Sequence, residues 1–208
     1  MQTKRKLYFD IETFRSENPP SPEEISVPGN YKKPESIQAY IDENIGELWN
    51  KTALNSLKGQ IICIGYAIDD MPAQIIMGTE QEIITEFEKI VMENVWMDWI
   101  GHNIMGFDLP FIYHRAIKFG NKSLRNVVPK ERFPKNVFDT MLMFSGTDFQ
   151  QRHSLKNICN FLGIENSKGE IDGSKVGELW ANGEKEKVAD YCKSDVEILR
   201  QVYLKIDG

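Results

Sequence analysis

The chain has 208 residues, 41% of them hydrophobic and 27% charged, a balance that fits one compact domain with a full core. No apolar run approaches the roughly 20 residues of a membrane span, and the charged start Met1–Lys6 lacks the apolar stretch of a signal peptide, so the expected location is the cytoplasm. The net charge of -6 disfavours a tight, non-specific coater of DNA more than an enzyme that gathers acids around divalent cations, because bound metals reverse the local field.

The predicted elements alternate between strands and helices. Lys6–Asp10 reads as a first strand. Gln60–Ile68 is nearly continuous in apolar residues, as in a strand covered on both faces. Asp69-Asp70-Met71-Pro72 is a turn signal, and Ala73–Met77 a third strand. Thr79 opens a helix to about Glu93. Glu82 completes a capping-box pattern there, and Ile83, Ile84, Phe87, Ile90 and Val91 form one apolar stripe. Trp96–Gly101 reads as a fourth strand, with Trp96 and Trp99 as core residues, and His102–Gly106 as a loop. Asp108–Phe119 is a helix that tolerates Pro110 in its first turn. Asn136–Asp139 reads as a fifth strand, Ser154–Leu162 as a short helix closed by Gly163, and Lys185–Ile206 as a long final helix. The class is α/β with a mixed sheet of about five strands flanked by helices.

Residues 15–59 stand apart. A proline-rich loop, Arg15-Ser16-Glu17-Asn18-Pro19-Pro20-Ser21-Pro22, comes first, and a helix is expected over Ser36 to about Asn50. A connection this long is not plain loop inside a compact domain; it reads as a flap beside the first strand or as a disordered segment. Tyr31-Lys32-Lys33 reads either as a substrate contact or as a packed tyrosine beside two solvated charges. Cys63, Cys159 and Cys192 are odd in number and widely spaced, which reads as reduced thiols rather than a disulfide frame or a zinc site.

Three segments carry chemistry. In Phe9-Asp10-Ile11-Glu12-Thr13, strand alternation points Asp10 and Glu12 to one side. Adjacent carboxylates resist joint ionisation unless a cation relieves the repulsion, and oxygen-rich sites suit Mg²⁺ or Mn²⁺. An edge-strand pair facing solvent would show the same pattern. In His102-Asn103-Ile104-Met105-Gly106-Phe107-Asp108, an acid sits at a helix start, as an N-cap or as a ligand. In Tyr191-Cys192-Lys193-Ser194-Asp195, Tyr191 and Asp195 share a helix face. Asp195 borders the apolar stripe Val188, Val196, Leu199, Val202, where an acid needs a partner.

The order of the three segments resembles the DEDD superfamily of 3'-5' exonucleases, in its tyrosine branch. The nearest resemblance is to the proofreading exonuclease domains of family B DNA polymerases and their stand-alone relatives. Ile61–Gly65, Phe138-Asp139-Thr140 and Ser154–Ile158 also resemble segments of that group. The resemblance spans residues 7 to about 204 apart from 15–59, so residues 1–208 are expected to form a single exonuclease domain of ribonuclease H-like fold with that insertion.

What the resemblance implies is specific. Asp10, Glu12, Asp108 and Asp195 would hold two Mg²⁺ or Mn²⁺ ions, with Asp10, Glu12 and Asp195 on one and Asp10 and Asp108 at the other, Asp108 mainly through water. Such ions, about 3.5–4 Å apart, stabilise an in-line displacement. Tyr191 would orient the attacking water, since a phenol of pKa about 10 is a poor base at neutral pH. Thr13, Phe14, Asn103 and Phe107 would hold the terminal nucleotides. The expected substrate is single-stranded DNA or an unpaired 3' end, and the product a nucleoside 5'-monophosphate. The expected partners are that strand and a separate polymerase or repair protein, with no membrane. The alternatives are an RNA-trimming enzyme of the same fold and a catalytically silent nucleic-acid-binding scaffold.

Smaller features carry two readings each. Arg115, Lys118, Lys122 and Arg125 read as a steering patch for phosphates or as a solvated helix face. His153 lies far from the place of the histidine that marks the other DEDD branch, and reads as structural or substrate-side. His102 and His114 have no metal spacing with a cysteine. Asp139 reads as a family residue or as a helix cap.

Overall fold

The computed structural model describes residues 4–94, 96–146, 151–165 and 173–207; the start Met1–Thr3 lies outside them. In chain order the elements are β1 (Arg5–Phe14), α1 (Pro34–Lys51), β2 (Gln60–Ile68), β3 (Gln74–Met77), α2 (Glu80–Glu93), β4 (Met97–Gly101), α3 (Asp108–Phe119), α4 (Lys122–Val127), β5 (Val137–Asp139), α5 (Thr140–Ser145), α6 (Leu155–Leu162), α7 (Val176–Ala181) and α8 (Lys185–Asp207). The sheet runs β3-β2-β1-β4-β5. β1, β2 and β3 pair antiparallel as a meander, and β4 and β5 follow β1 in parallel. The expected mixed five-stranded sheet is present.

Alternation along β1 assigns each side of the sheet. Leu7, Phe9 and Ile11 point into the main core with Ile83, Ile84 and Phe87 of α2 and with Phe111 and Ile112 of α3. The Phe9 ring lies 5.4 Å from Phe87 and 5.7 Å from Trp99, tilted and edge-on, where aromatic quadrupoles attract. On the opposite side, Tyr8 packs with Val196, Leu199 and Tyr203 of α8. Ile62 and Cys63 pack with Val176 of α7 and with Val188 and Cys192 of α8. The β1–β2 register slips between Glu12, opposite Cys63, and Thr13, opposite Ile61. The extra residue, Ile62, makes a bulge that bends the strands at the site.

The local signals act as read at several ends. Thr79 caps α2 by accepting the Glu82 N–H while Glu82 returns to the Thr79 N–H at 2.8 Å. Ser154 caps α6, and Gly163 ends it in the left-handed region at φ 67°. Three expectations need correction. Trp96 is 85% exposed: the strand begins at Met97, so only Met97 and Trp99 alternate into the core. Arg115 is no steering cation, because it is buried and ties three segments together. Its Nε donates to Glu80 Oε1 at 2.5 Å, Nη1 to the Ser56 carbonyl at 2.8 Å, and Nη2 to the Gly59 carbonyl. β1 continues through Phe14, so both acids of the first segment lie within the strand rather than at its end.

Residues 15–59 fold back on the end of β1. α1 begins at Pro34, its first helical residue, two residues before the expected start. Its far end is pinned by polar bonds that span long stretches of chain. Thr13 Oγ1 donates to the Ala53 carbonyl at 2.8 Å, the Ser16 N–H to Thr52 Oγ1 at 2.8 Å, and Trp49 Nε1 to the Ser16 carbonyl at 2.7 Å. Tyr31 packs on Tyr40 with ring centroids 5.0 Å apart, while Lys32 and Lys33 are exposed, in keeping with the packed-tyrosine reading.

Candidate active site

The site forms where β1 meets α8. Antiparallel pairing places Asp10 opposite Gly65 and Glu12 opposite Cys63. The absent side chain of Gly65 is what lets α8 lie close. A Cβ there would stand 2.9 Å from Cys192 Sγ and 3.0 Å from the Cys192 carbonyl oxygen, and glycine in a strand interior marks such an approach. The Gly65 N–H instead donates to Cys192 Sγ at 3.1 Å. The Cys192 thiol points in turn toward the Asp10 carbonyl at 3.5 Å and Asp10 Oδ2 at 3.8 Å. One ligand atom each from Asp10, Glu12 and Cys192 lie within 4.8 Å of one another. Burial pushes the Cys192 thiol up, and the neighbouring Cys63 and the charges of Asp10 and Glu12 add to it.

Tyr191 and Asp195 approach from the same helix. Burial raises the Tyr191 pKa first. The charges of Asp195, Glu12 and Asp10 follow, together with a hydrogen bond to Asp195. One phenol thus senses three of the predicted acids, and the first and third segments share a neighbourhood. Asp195 itself is 8% exposed.

Asp108 reaches β1 by a different route. β4 pairs with β1 only as far as Tyr8, which leaves the Ile11 N–H to donate to Asp108 Oδ1 at 3.1 Å. Ile11 lies between the two acids of the first segment, so this bond brings Asp108 beside them. Phe107, not Asp108, holds the N-cap position of α3, which removes the capping reading. Burial pushes the Asp108 pKa up to about 8 against the backbone N–H groups of Ile11 and Asp108, and the charge of Asp139 adds to the rise. Asp139 caps α5 through the N–H groups of Met141 and Leu142. It also pins the second segment by accepting from the N–H groups of Asn103 and Met105, at 3.0 and 3.1 Å.

A cavity of about 810 Å³ opens beside Glu12. Thr13, Phe14 and Phe107 line it, as do Arg15 and the 47–54 stretch of the insertion. Asn103, Asp10, Asp108, Tyr191 and Asp195 are not among its lining residues. Asn103 has a left-handed backbone at φ 58°, and its side-chain oxygen folds over Gly106, where a Cβ would stand 2.6 Å away. The histidines serve elsewhere. His102 Nδ1 meets Thr140 Oγ1 and His114 Nδ1 meets Ser56 Oγ, each at 3.0 Å, and His153 borders a small cavity beside Phe144 and Phe161. The sequence did not point to Gly65 and Cys192 as parts of the site. The available signals were a glycine inside an otherwise apolar strand and a thiol next to the third-segment tyrosine.

Residues 66–207 match the family described as a predicted 3'-5' exonuclease related to the exonuclease domain of PolB, which is more than half of the chain. The chain belongs to that family. Among its curated relatives, a DNA polymerase of Archaeoglobus fulgidus is 27% identical over 150 residues, covering 66% of this chain and 19% of the polymerase. An uncharacterized protein of Methanocaldococcus jannaschii is 26% identical over 169 residues, covering 73% of this chain and 88% of that protein. The family B DNA polymerase of Pyrobaculum calidifontis superposes with a TM-score of 0.61 at 18% identity, over 97% of this chain and 25% of the polymerase. Its fold agrees with the ribonuclease H-like arrangement of the exonuclease family. Against both polymerases the chain spans a quarter of their length or less. Among the described residues no helix is long and apolar enough to cross a membrane.

Proposed function

We propose that this member of the exonuclease family hydrolyses the terminal phosphodiester at the 3' end of single-stranded DNA and releases a nucleoside 5'-monophosphate. The observation that supports it best is the meeting of three distant segments around Asp10 and Glu12. β1 supplies the pair, the start of α3 brings Asp108 onto the Ile11 N–H, and α8 brings Tyr191 and Asp195.

The donor set fits hard divalent cations. Carboxylates gathered on one side of a strand repel one another unless positive charge is present; the Tyr191 pKa, raised first by burial, is raised further by the charges of Asp195, Glu12 and Asp10. Asp10, Glu12 and Asp195 would hold one Mg²⁺ or Mn²⁺, and Asp10 with Asp108 a second. When bound, such ions supply Lewis acidity and neutralise the charge that develops on the displaced phosphate. The chain's own residues do the rest. Burial and the neighbouring acids hold the Tyr191 hydroxyl protonated, with its proton toward Asp195, so it does not act as base, and its oxygen would orient the attacking water by accepting a hydrogen bond from it. Phe14 and Phe107 offer rings to the terminal bases in the cavity beside Glu12. The Thr13 hydroxyl is spent on Ala53, which leaves the strand backbone to meet the terminal sugar. In the net reaction water adds to phosphorus, the bond from phosphorus to the 3' oxygen breaks, and that oxygen leaves as the new terminal hydroxyl.

The test is direct. With Mn²⁺ and 5'-labelled oligonucleotides, the DNA is expected to shorten stepwise from its 3' end, and chelation to stop it. Shortening of RNA in preference to DNA would move the substrate to RNA and the discrimination to the 2'-hydroxyl. Internal cleavage, or no cleavage of either, would sink the reading.

A further inference from the structure

Arg15 lies just past the end of β1, three residues beyond Glu12, or about 10 Å along an extended chain. Its guanidinium is held from two sides. The plane sits over the Trp49 ring at 3.8 Å to the centroid, with the Phe14 ring at 5.3 Å. Nη1 donates to Asn50 Oδ1 at 2.8 Å. Trp49 and Asn50 both belong to α1, and Trp49 is fixed in turn by its bond to the Ser16 carbonyl. Arg15 is therefore a preset cation on the wall of the cavity that Glu12 borders. The opposite edge of the guanidinium carries Nε, which is shielded from solvent and has no acceptor among the described residues. A donor left in that state costs stability, and a planar guanidinium on a cavity wall suits an oxyanion. Among the described residues the other cation on that wall, Lys51, is engaged with Glu47 at 2.5 Å. Asn50 and Trp49 thus present Arg15 as the wall's available positive group.

Resting on the exonuclease reading, we infer that Arg15 is a substrate-binding residue that takes a phosphate of the nucleic-acid strand in the cavity next to the carboxylates. The family match begins at Tyr66, so Arg15 and the helix that orients it lie outside the matched region. The bound group is either an internal phosphate of the strand or the phosphate of a 3'-phosphorylated end. Both present the same oxyanion.

The experiment compares the wild type with Arg15→Gln and Arg15→Lys. Initial rates are measured with Mn²⁺ on 5'-fluorescent oligothymidylates ending in 3'-hydroxyl or 3'-phosphate, across a range of salt. Arg15→Gln is expected to raise KM about tenfold with kcat within about twofold, and to make the fall of log(kcat/KM) with log[salt] shallower by about one. A purely structural arginine would lower the melting temperature without moving that slope. Arg15→Lys is expected to keep the slope while losing part of the affinity, because an ammonium lacks the fork and the flat stack on Trp49. An equal loss on both ends assigns the internal phosphate, and a loss confined to the 3'-phosphate end assigns the terminal one. Wild-type KM and slope in Arg15→Gln, on both ends, overturn the inference while leaving the exonuclease reading intact. Should that variant not fold, a wild-type KM in Arg15→Lys on both ends does the same. A wild type that shortens neither oligonucleotide overturns the functional reading, and this one with it.

Discussion

The two faces of the central sheet solve opposite problems with the same strand. Odd residues of β1, Leu7, Phe9 and Ile11, enter a large apolar core against α2 and α3, and each is 3% exposed or less. Even residues face α8, where Tyr8 packs but Asp10 and Glu12 meet Cys192, Tyr191 and Asp195. The first face gains stability from removing hydrocarbon from water. The second gathers like charges that oppose one another and spends part of that gain. The contrast indicates that the core under α2 and α3 is what tolerates the electrostatic strain on the α8 face.

The comparison breaks first at its extremes. Phe87→Ala is expected to cost about 3–5 kcal/mol of stability, since it empties the centre of the α2 face, while kcat of the folded fraction stays within about twofold. Chemical denaturation and rates corrected for folded fraction measure the two halves. Asp10→Ala is expected to behave inversely. Activity should fall about 10³-fold, the scale of removing a central electrostatic group, while the melting temperature of the chelated protein holds or rises as repulsion is relieved. A loss of stability in Asp10→Ala comparable to that in Phe87→Ala would erase the distinction between the faces.

Gly65→Ala tests the contact that joins them. The new methyl meets the Cys192 carbonyl, which is backbone and cannot swing away, so α8 must shift. A cost of about 1–3 kcal/mol is expected. Activity should drop about 10²-fold, as for a displacement near 1 Å of catalytic groups. Wild-type kcat in Gly65→Ala would show that the close approach of α8 is packing alone.

Legibility in the sequence follows the range of the physics involved. β2 and α2 are readable because a continuous apolar run, an apolar stripe and the Thr79–Glu82 box all act within a few residues. The four carboxylates are readable as a set only through the order of the three segments, which resembles the exonuclease family, since singly they also fit a solvent-facing strand pair, a helix cap and an acid paired at a helix face. α5 and α7 escape because six residues make less than two helical turns and show no period. Trp96 and Arg115 mislead for opposite reasons. A large aromatic is taken for core although its strand starts one residue later, and a charge is taken for surface although Glu80 and two carbonyls receive it. The roles of Gly65 and Cys192 depend on residues 127 positions apart, and the wall carrying Arg15 on pairs 33 to 40 apart. No local pattern encodes either.

The smallest effect is expected at the start of α2, on the apolar face and away from the site. Thr79→Ala removes the oxygen that accepts the Glu82 N–H and should cost about 1 kcal/mol with no change in kcat. The reciprocal bond, from the Thr79 N–H to the Glu82 carboxylate, holds the Glu82 pKa below its ordinary 4.5. A carboxylate whose folded pKa is depressed adds stability above its unfolded pKa and loses it as pH falls through the folded value. Glu82→Gln should therefore melt slightly below the wild type at pH 7. The gap should shrink as pH falls below 4.5 and vanish once pH is below the depressed folded-state pKa, because the protonated wild type then carries a neutral group at the same place. A gap that persists or widens in acid would mean that the carboxylate is not held by its charge, and that the cap acts through hydrogen-bond geometry alone.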